Sequence, residues 1–128
     1  MNIKNFVVVC VCSVLVVTSS QTFADEPLAL QGQEVFRLCE ACHSVEPGVH
    51  IFGPTLHGVY ARRAGTQEGY SYSQALANSG IDWNESYLHR WLASDSKNLV
   101  PGTRMQWRTQ LSEEQLQALI AYLKTLQD

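Results

Sequence analysis

Cys39-Glu40-Ala41-Cys42-His43 is the stretch from which the rest of this 128-residue chain is read. Two thiols three positions apart, with a histidine directly after the second, form the attachment pattern of a c-type haem. On one helical turn the two cysteine side chains point the same way. They can then add to the two vinyl groups of one porphyrin. His43 follows where its imidazole can reach the iron as proximal ligand. A structural disulfide, a zinc site and a thioredoxin-like redox pair compete for the same residues. Zinc needs four ligands, usually from a second Cys/His pair at similar spacing, and none follows. A thioredoxin-like site needs a βαβ setting, which the surrounding sequence does not suggest.

The compartment is read from the N-terminus. Lys4 precedes an apolar run from Phe6 to Val17, then come polar Thr18 to Gln21 and the small-residue pattern Thr22-Phe23-Ala24. This predicts a secretory signal peptide over residues 1–24, cleaved after Ala24. The run is too short to span a bilayer, which takes about 20 residues. Cys10 and Cys12 lie inside it and leave with it. Residues 25–128 then form one small domain, whose two remaining cysteines are both in the motif. So short a chain has a thin core for its surface, and a buried macrocycle would supply much of the apolar interior. Loss of Lys4 takes the net charge from −3 to about −4, which argues against nucleic acid or an anionic membrane as partner.

The periodicity predicts helices joined by long loops. Leu28 to Leu38 reads as the first helix, with Leu28, Gln31, Val35 and Leu38 on one stripe and Gly32 and Phe36 on another. A glycine inside a helix is disfavoured, and close approach of another helix would explain it. Glu46 to Gly69 is rich in Gly and Pro and suits a segment wrapped around a ligand. Short helices are expected over Tyr72–Ser79 and Trp83–Ala93, and a loop over Ser94–Gln110. The last helix carries the clearest signals: the capping box Ser112-Glu113-Glu114-Gln115, a staple between Leu111 and Leu116, and the stripe Leu116, Leu119, Ile120, Leu123. No segment reads persuasively as a strand, so the fold class is all-α.

A haem iron has a sixth position. His50, His57, His89 and Met105 are the residues that could fill it, and an open site is the remaining option. Met105 is the only methionine besides Met1, and it sits in a polar loop where a core gap-filler is out of place. His57, in the wrapping loop, is its main competitor. A thioether favours the ferrous state and raises the potential.

These motifs together resemble class I cytochrome c, and the resemblance covers essentially all of residues 25–128. It rests on Gly32 and Phe36, on the Cys39–His43 motif, and on Gly53-Pro54-Thr55-Leu56-His57-Gly58. It continues through Arg62, Gly65, Gly69-Tyr70-Ser71-Tyr72 and Gly80-Ile81-Asp82-Trp83. It ends with Pro101-Gly102-Thr103-Arg104-Met105 and Ile120-Ala121-Tyr122-Leu123. The resemblance implies the class I fold around one covalent haem c, with His43 and Met105 as axial ligands. It implies that the Pro54 carbonyl accepts the other N–H of His43. Arg62, Tyr72 and Trp83 would hydrogen-bond one buried propionate and Thr103 the other, as a buried carboxylate requires. Gly32, Phe36, Leu119 and Tyr122 would form the crossing of first and last helices.

There are departures from the mitochondrial pattern. One residue is missing between Phe36 and Cys39, and one is added between Leu92 and Pro101. Trp91 stands where a tyrosine near the methionine sulfur is usual, Leu76 where an asparagine is usual, and Trp107 where a phenylalanine lies beside the haem edge. The lysine-rich face is reduced to Lys97 and Lys124. With the signal peptide, this points to a bacterial periplasmic member with its own partners.

The resulting expectation is a periplasmic one-electron carrier, not an enzyme, that exchanges electrons with redox-partner proteins. It would act as a monomer or in transient complexes, with no nucleic-acid partner and no membrane span after cleavage. A dedicated cytochrome subunit of a larger dehydrogenase or oxidase is the first alternative. A haem peroxidase or ligand sensor with a labile sixth ligand is the second. Arg37, Lys97, Arg104 and Arg108 are expected to form a small basic rim at the haem edge. Asp25, Glu26, Asp82, Glu85, Glu113 and Glu114 would gather away from it. Apolar contacts around Trp107 are the alternative basis for recognition.

Overall fold

The computed structural model describes residues 27–127. The signal peptide expected over 1–24, Asp25, Glu26 and Asp128 lie outside the described residues. Among the described residues the helices are α1 (Leu28–Phe36), α2 (Gln74–Ala77), α3 (Glu85–Leu92), α4 (Ser96–Leu99) and α5 (Glu113–Thr125). The one sheet-like element among them is an isolated antiparallel bridge between Arg63 and Asp82. No described helix is long and apolar enough to cross a membrane.

The frame is the pair α1 and α5, which make the most extensive helix–helix contact. α5 starts where its cap dictates. The Ser112 side chain accepts from the Gln115 backbone N–H, and the Gln115 side chain accepts from the Ser112 N–H in return. Two donors that the helix itself cannot satisfy thereby find partners. Its stripe Leu116, Leu119, Ile120 and Leu123 is buried, and Leu111 packs against the same core.

Gly32 is the reason α1 can come so close. A Cβ at Gly32 would fall against the Ala118 carbonyl and 2.8 Å from Tyr122 Cβ. Phe36 completes the crossing, its ring 5.3 Å from that of Tyr122. The buried residues of α1 are thus Gly32 and Phe36. The crossing expected at Gly32, Phe36 and Tyr122 is therefore the packed face, while Leu28 and Leu38 of the other stripe are about half exposed (48% and 54%). Hydrophobic periodicity ranks side chains by apolarity, whereas backbone approach here selects the residue with no side chain at all.

The remaining helices differ modestly from expectation. α2 is capped by Ser73 and α3 by Asn84, each accepting from a backbone N–H three residues on. Trp83 lies just outside α3, in a stretch that pairs with the wrapping loop: Ala61 N–H donates to the Trp83 carbonyl and Trp83 N–H to the Arg62 carbonyl, both at 2.9 Å. The segment 94–110, expected as plain loop, contains α4, capped by Asp95. Four residues carry no helical period to read. Tertiary bonds hold them instead: Ser96, fully buried, donates from Oγ to the Met105 carbonyl at 2.9 Å.

The loop from Ser44 to Tyr72 holds its shape by satisfying its own polar groups. Thr55 Oγ1 donates to the Glu46 carbonyl at 2.7 Å and accepts from His57 N–H at 3.1 Å. His50 bridges two arms of the loop: Nδ1 accepts from Thr55 N–H at 3.1 Å, and Nε2 lies 3.0 Å from the Glu68 carbonyl.

Candidate functional site

Between α3, α5, the turn after α1, the wrapping loop and the segment after α4 lies a cavity of about 610 Å³. That is within the roughly 300–1,000 Å³ of small-molecule and cofactor sites. Its wall includes all nine residues singled out from sequence: Cys39, Cys42, His43, Pro54, Arg62, Tyr72, Trp83, Thr103 and Met105. It includes none of His50, His57 or His89. The ring of His89 instead pairs with Glu113 at the surface, 3.0 Å from Oε2.

The thiols reach the wall because the chain makes one more turn after α1. Cys39 N–H donates to the Phe36 carbonyl at 2.7 Å, and His43 N–H to the Cys39 carbonyl at 2.9 Å. Both thiols are free. Burial pushes the Cys39 thiol up to about 11, and the neighbouring Cys42 and Glu40 act in the same direction. Since the thiolate is the nucleophile, Cys39 is a weak nucleophile in the folded chain.

His43 is buried, and its Nδ1 donates to the Pro54 carbonyl at 2.7 Å. Desolvation holds its imidazole pKa below the usual value, with the Pro54 bond opposing. The ring is therefore a neutral base with Nε2 left as its donor atom, the state a metal ligand needs. Gly53 makes room for it: a Cβ there would lie 2.7 Å from Nδ1 and 2.9 Å from Nε2. Sequence reading quoted Gly53 within a motif and gave it no role. Its signal is a glycine directly before the proline whose carbonyl orients the ring.

Met105 stands on the cavity wall under three restraints. Its carbonyl accepts from Ser96, its N–H lies 3.4 Å from Thr103 Oγ1, and its Sδ accepts from the indole Nε1–H of Trp91 at 3.3 Å. Trp91 itself is buried and packs edge-on against Trp83, ring centroids 5.1 Å apart. The substitution at position 91 thus keeps a donor on the sulfur. An indole donates only, whereas a phenol also accepts. Leu76, buried on the same cavity wall, adds no polar group. Trp107 is also buried, with its N–H on the Leu92 carbonyl at 2.8 Å, so it offers little surface to a partner.

Arg62 and Tyr72 are among the polar residues of the wall. Arg62 donates to the His57 carbonyl at 2.8 Å and to Gln67 Oε1, and it hydrogen-bonds Tyr72. Desolvation pulls the guanidinium below its ordinary value and pushes the Tyr72 phenol up, and each group offsets the other's shift. A half-buried cation beside a phenol, in a largely apolar cavity, suits a mostly apolar ligand that carries a carboxylate.

Comparison with known proteins shows the family. A family model described as Cytochrome c matches residues 29–127. Cytochrome c2 iso-2 of Magnetospirillum molischianum is 45% identical over 91 residues, covering 71% of this chain and 93% of that protein. Cytochrome c2 of Blastochloris viridis is 41% identical over 97 residues, covering 75% and 76%. The structure is similar to that of cytochrome cH from Methylobacterium extorquens, with a TM-score of 0.69 and 42% identity, over 76% of this chain and 97% of that one.

Proposed function

The chain belongs to class I of the cytochromes c, and from that premise we propose that it is a periplasmic one-electron carrier, residues 25–128 being the working domain after loss of a signal peptide. One observation carries the reading. The two thiols, a neutral buried imidazole and a single thioether line one cavity, and the three other histidines do not. The residues present fit one haem c. Cys39 and Cys42 would hold it by thioether bonds, with His43 and Met105 as axial ligands. When bound, the group supplies a reversible one-electron iron couple.

The protein's part is to set orientation, potential and access. Pro54 fixes the His43 ring and raises its basicity. Trp91 draws electron density from the Met105 sulfur, and the apolar wall disfavours added charge, so both raise the potential. Arg62, Tyr72 and Trp83 would serve one propionate and Thr103 the other. No bond to a substrate is made or broken.

The test is the ferric protein's spectrum together with a redox titration. A low-spin spectrum with a weak near-infrared sulfur-to-iron band, and a reversible one-electron titration, are expected. A high-spin ferric protein that binds cyanide at once would make it an enzyme or ligand sensor instead.

Trp91→Phe isolates one element of the potential. The ring stays and the N–H goes. A hydrogen bond contributes roughly 0.5–1 kcal/mol, and one electron converts at about 60 mV per 1.4 kcal/mol, so the potential should fall by about 20–40 mV. A variant of unchanged helical content and unchanged potential would show that the indole does not act on the sulfur.

A further inference from the structure

The stretch that carries Met105 has little of its own to hold it. Residues 105–110 form no helix or strand. Among the described residues, the one backbone–backbone hydrogen bond made by this stretch runs from Ser96 N–H to the Trp107 carbonyl, at 3.2 Å. The Ser96 hydroxyl adds two more ties. It donates to the Met105 carbonyl at 2.9 Å and accepts from Trp107 N–H at 3.3 Å. Backbone groups of both Met105 and Trp107 thus rest on one serine.

Ser96 is itself a fixed point. It is fully buried and does not line the cavity, so it stands behind the wall. It is the first residue of α4, whose cap Asp95 accepts from Lys97 N–H, and Val100 N–H donates to its carbonyl at 3.0 Å. Its hydroxyl has one proton to donate, and the Met105 carbonyl takes it.

The hydroxyl matters only while the stretch lies against it. When the stretch lifts, the Met105 carbonyl and the Trp107 N–H reach water. Removing the hydroxyl therefore leaves two polar groups unpaired in the closed arrangement and costs the lifted one almost nothing. The Trp107 N–H is the buried one of the two. Trp91 acts differently, since it holds the sulfur and not the backbone.

We propose that Ser96 is a positioning residue for the sixth ligand: it latches the Met105–Trp107 stretch, and the latch sets how tightly an outside ligand can bind in place of Met105. The proposal rests on the reading of Met105 as axial ligand. Such coupling is reciprocal. If the latch favours bound Met105, a ligand that displaces Met105 must weaken the latch.

The test uses the haem-loaded ferric protein with cyanide as probe, as wild type, Ser96→Ala, Met105→Ala and the double variant. Ser96→Ala should keep the resting low-spin spectrum and bind cyanide about 10-fold or more tightly than wild type. Met105→Ala admits cyanide without moving the stretch, so in that background Ser96→Ala should change the affinity by less than about 2-fold. A merely structural role for Ser96 would act alike in both backgrounds. In wild type, saturating cyanide should speed hydrogen exchange of the Trp107 amide by about 10-fold or more and leave the α5 amides of Leu119 and Ile120 unaltered.

Equal cyanide affinity for Ser96→Ala and wild type would overturn the proposal. So would an equal gain with and without Met105. If Ser96→Ala does not fold, the exchange measurement on wild type decides, and an unaltered Trp107 amide overturns the proposal. A Met105→Ala protein with the wild-type spectrum and potential removes the axial reading of Met105, and this proposal with it. A changed Met105→Ala spectrum without coupling between residues 96 and 105 removes the proposal alone.

Discussion

A haem-free form of this chain should fail to hold the fold described above. The cavity is about 610 Å³. Without the haem, the apolar wall would face water and lose the contacts that the group supplies. A whole small domain has only about 5–15 kcal/mol of stability. The wall is also the core: Trp83, Leu88, Trp91, Leu119 and Leu123 line the cavity and belong to the buried cluster. In a host with a working maturation system, the chain from Asp25 should carry the mass of one haem, retained through acid–acetone extraction. Cys39→Ala/Cys42→Ala, after the same extraction, should lack that mass and lose more than half of its helical circular dichroism. An unaltered chain of haem-free mass from that host would remove the attachment assignment. A haem-free chain with native dichroism would show that the core stands unaided.

Met105→Ala should produce the largest change in potential of any single substitution on the cavity wall that leaves His43 in place. Axial ligands set haem potentials over about 0.8 V, so loss of the thioether should lower the potential by on the order of 0.2 V. The near-infrared band should vanish and the ferric protein should bind cyanide quickly. Trp91 would lose its acceptor, while the Ser96 and Thr103 restraints, which act on the Met105 backbone, would remain. The loop is therefore expected to keep its course, and water to take the position. An unchanged spectrum and potential would place the sixth ligand elsewhere, with His57 the first residue to try next.

Much of the molecule was legible as local chemistry. The Cys39–His43 motif works through neighbours on one turn, the Ser112–Gln115 cap through bonds three residues apart, and the α5 stripe through a fixed helical period. Each is a short-range pattern that one chain segment specifies alone. The places where reading and structure part company are all long-range. α4 is invisible in four residues and is anchored by Ser96 reaching Met105, nine positions on. Gly53 shows its purpose only when His43 lies over it.

The resemblance to the family implied the orienting role of Pro54. The sequence by itself supplied the expected attachment motif, the all-α class and the short list of sixth ligands. These depend on residue type and on spacings that the backbone enforces locally. Only the tertiary structure decided which of those ligand candidates share a cavity, that Trp91 donates to the Met105 sulfur, and that the Ser96 hydroxyl holds both Met105 and Trp107. A hydrogen bond between residues 14 apart, or a hydroxyl shared by two residues of a distant stretch, has no local signature. Its geometry exists only once packing has set the distances.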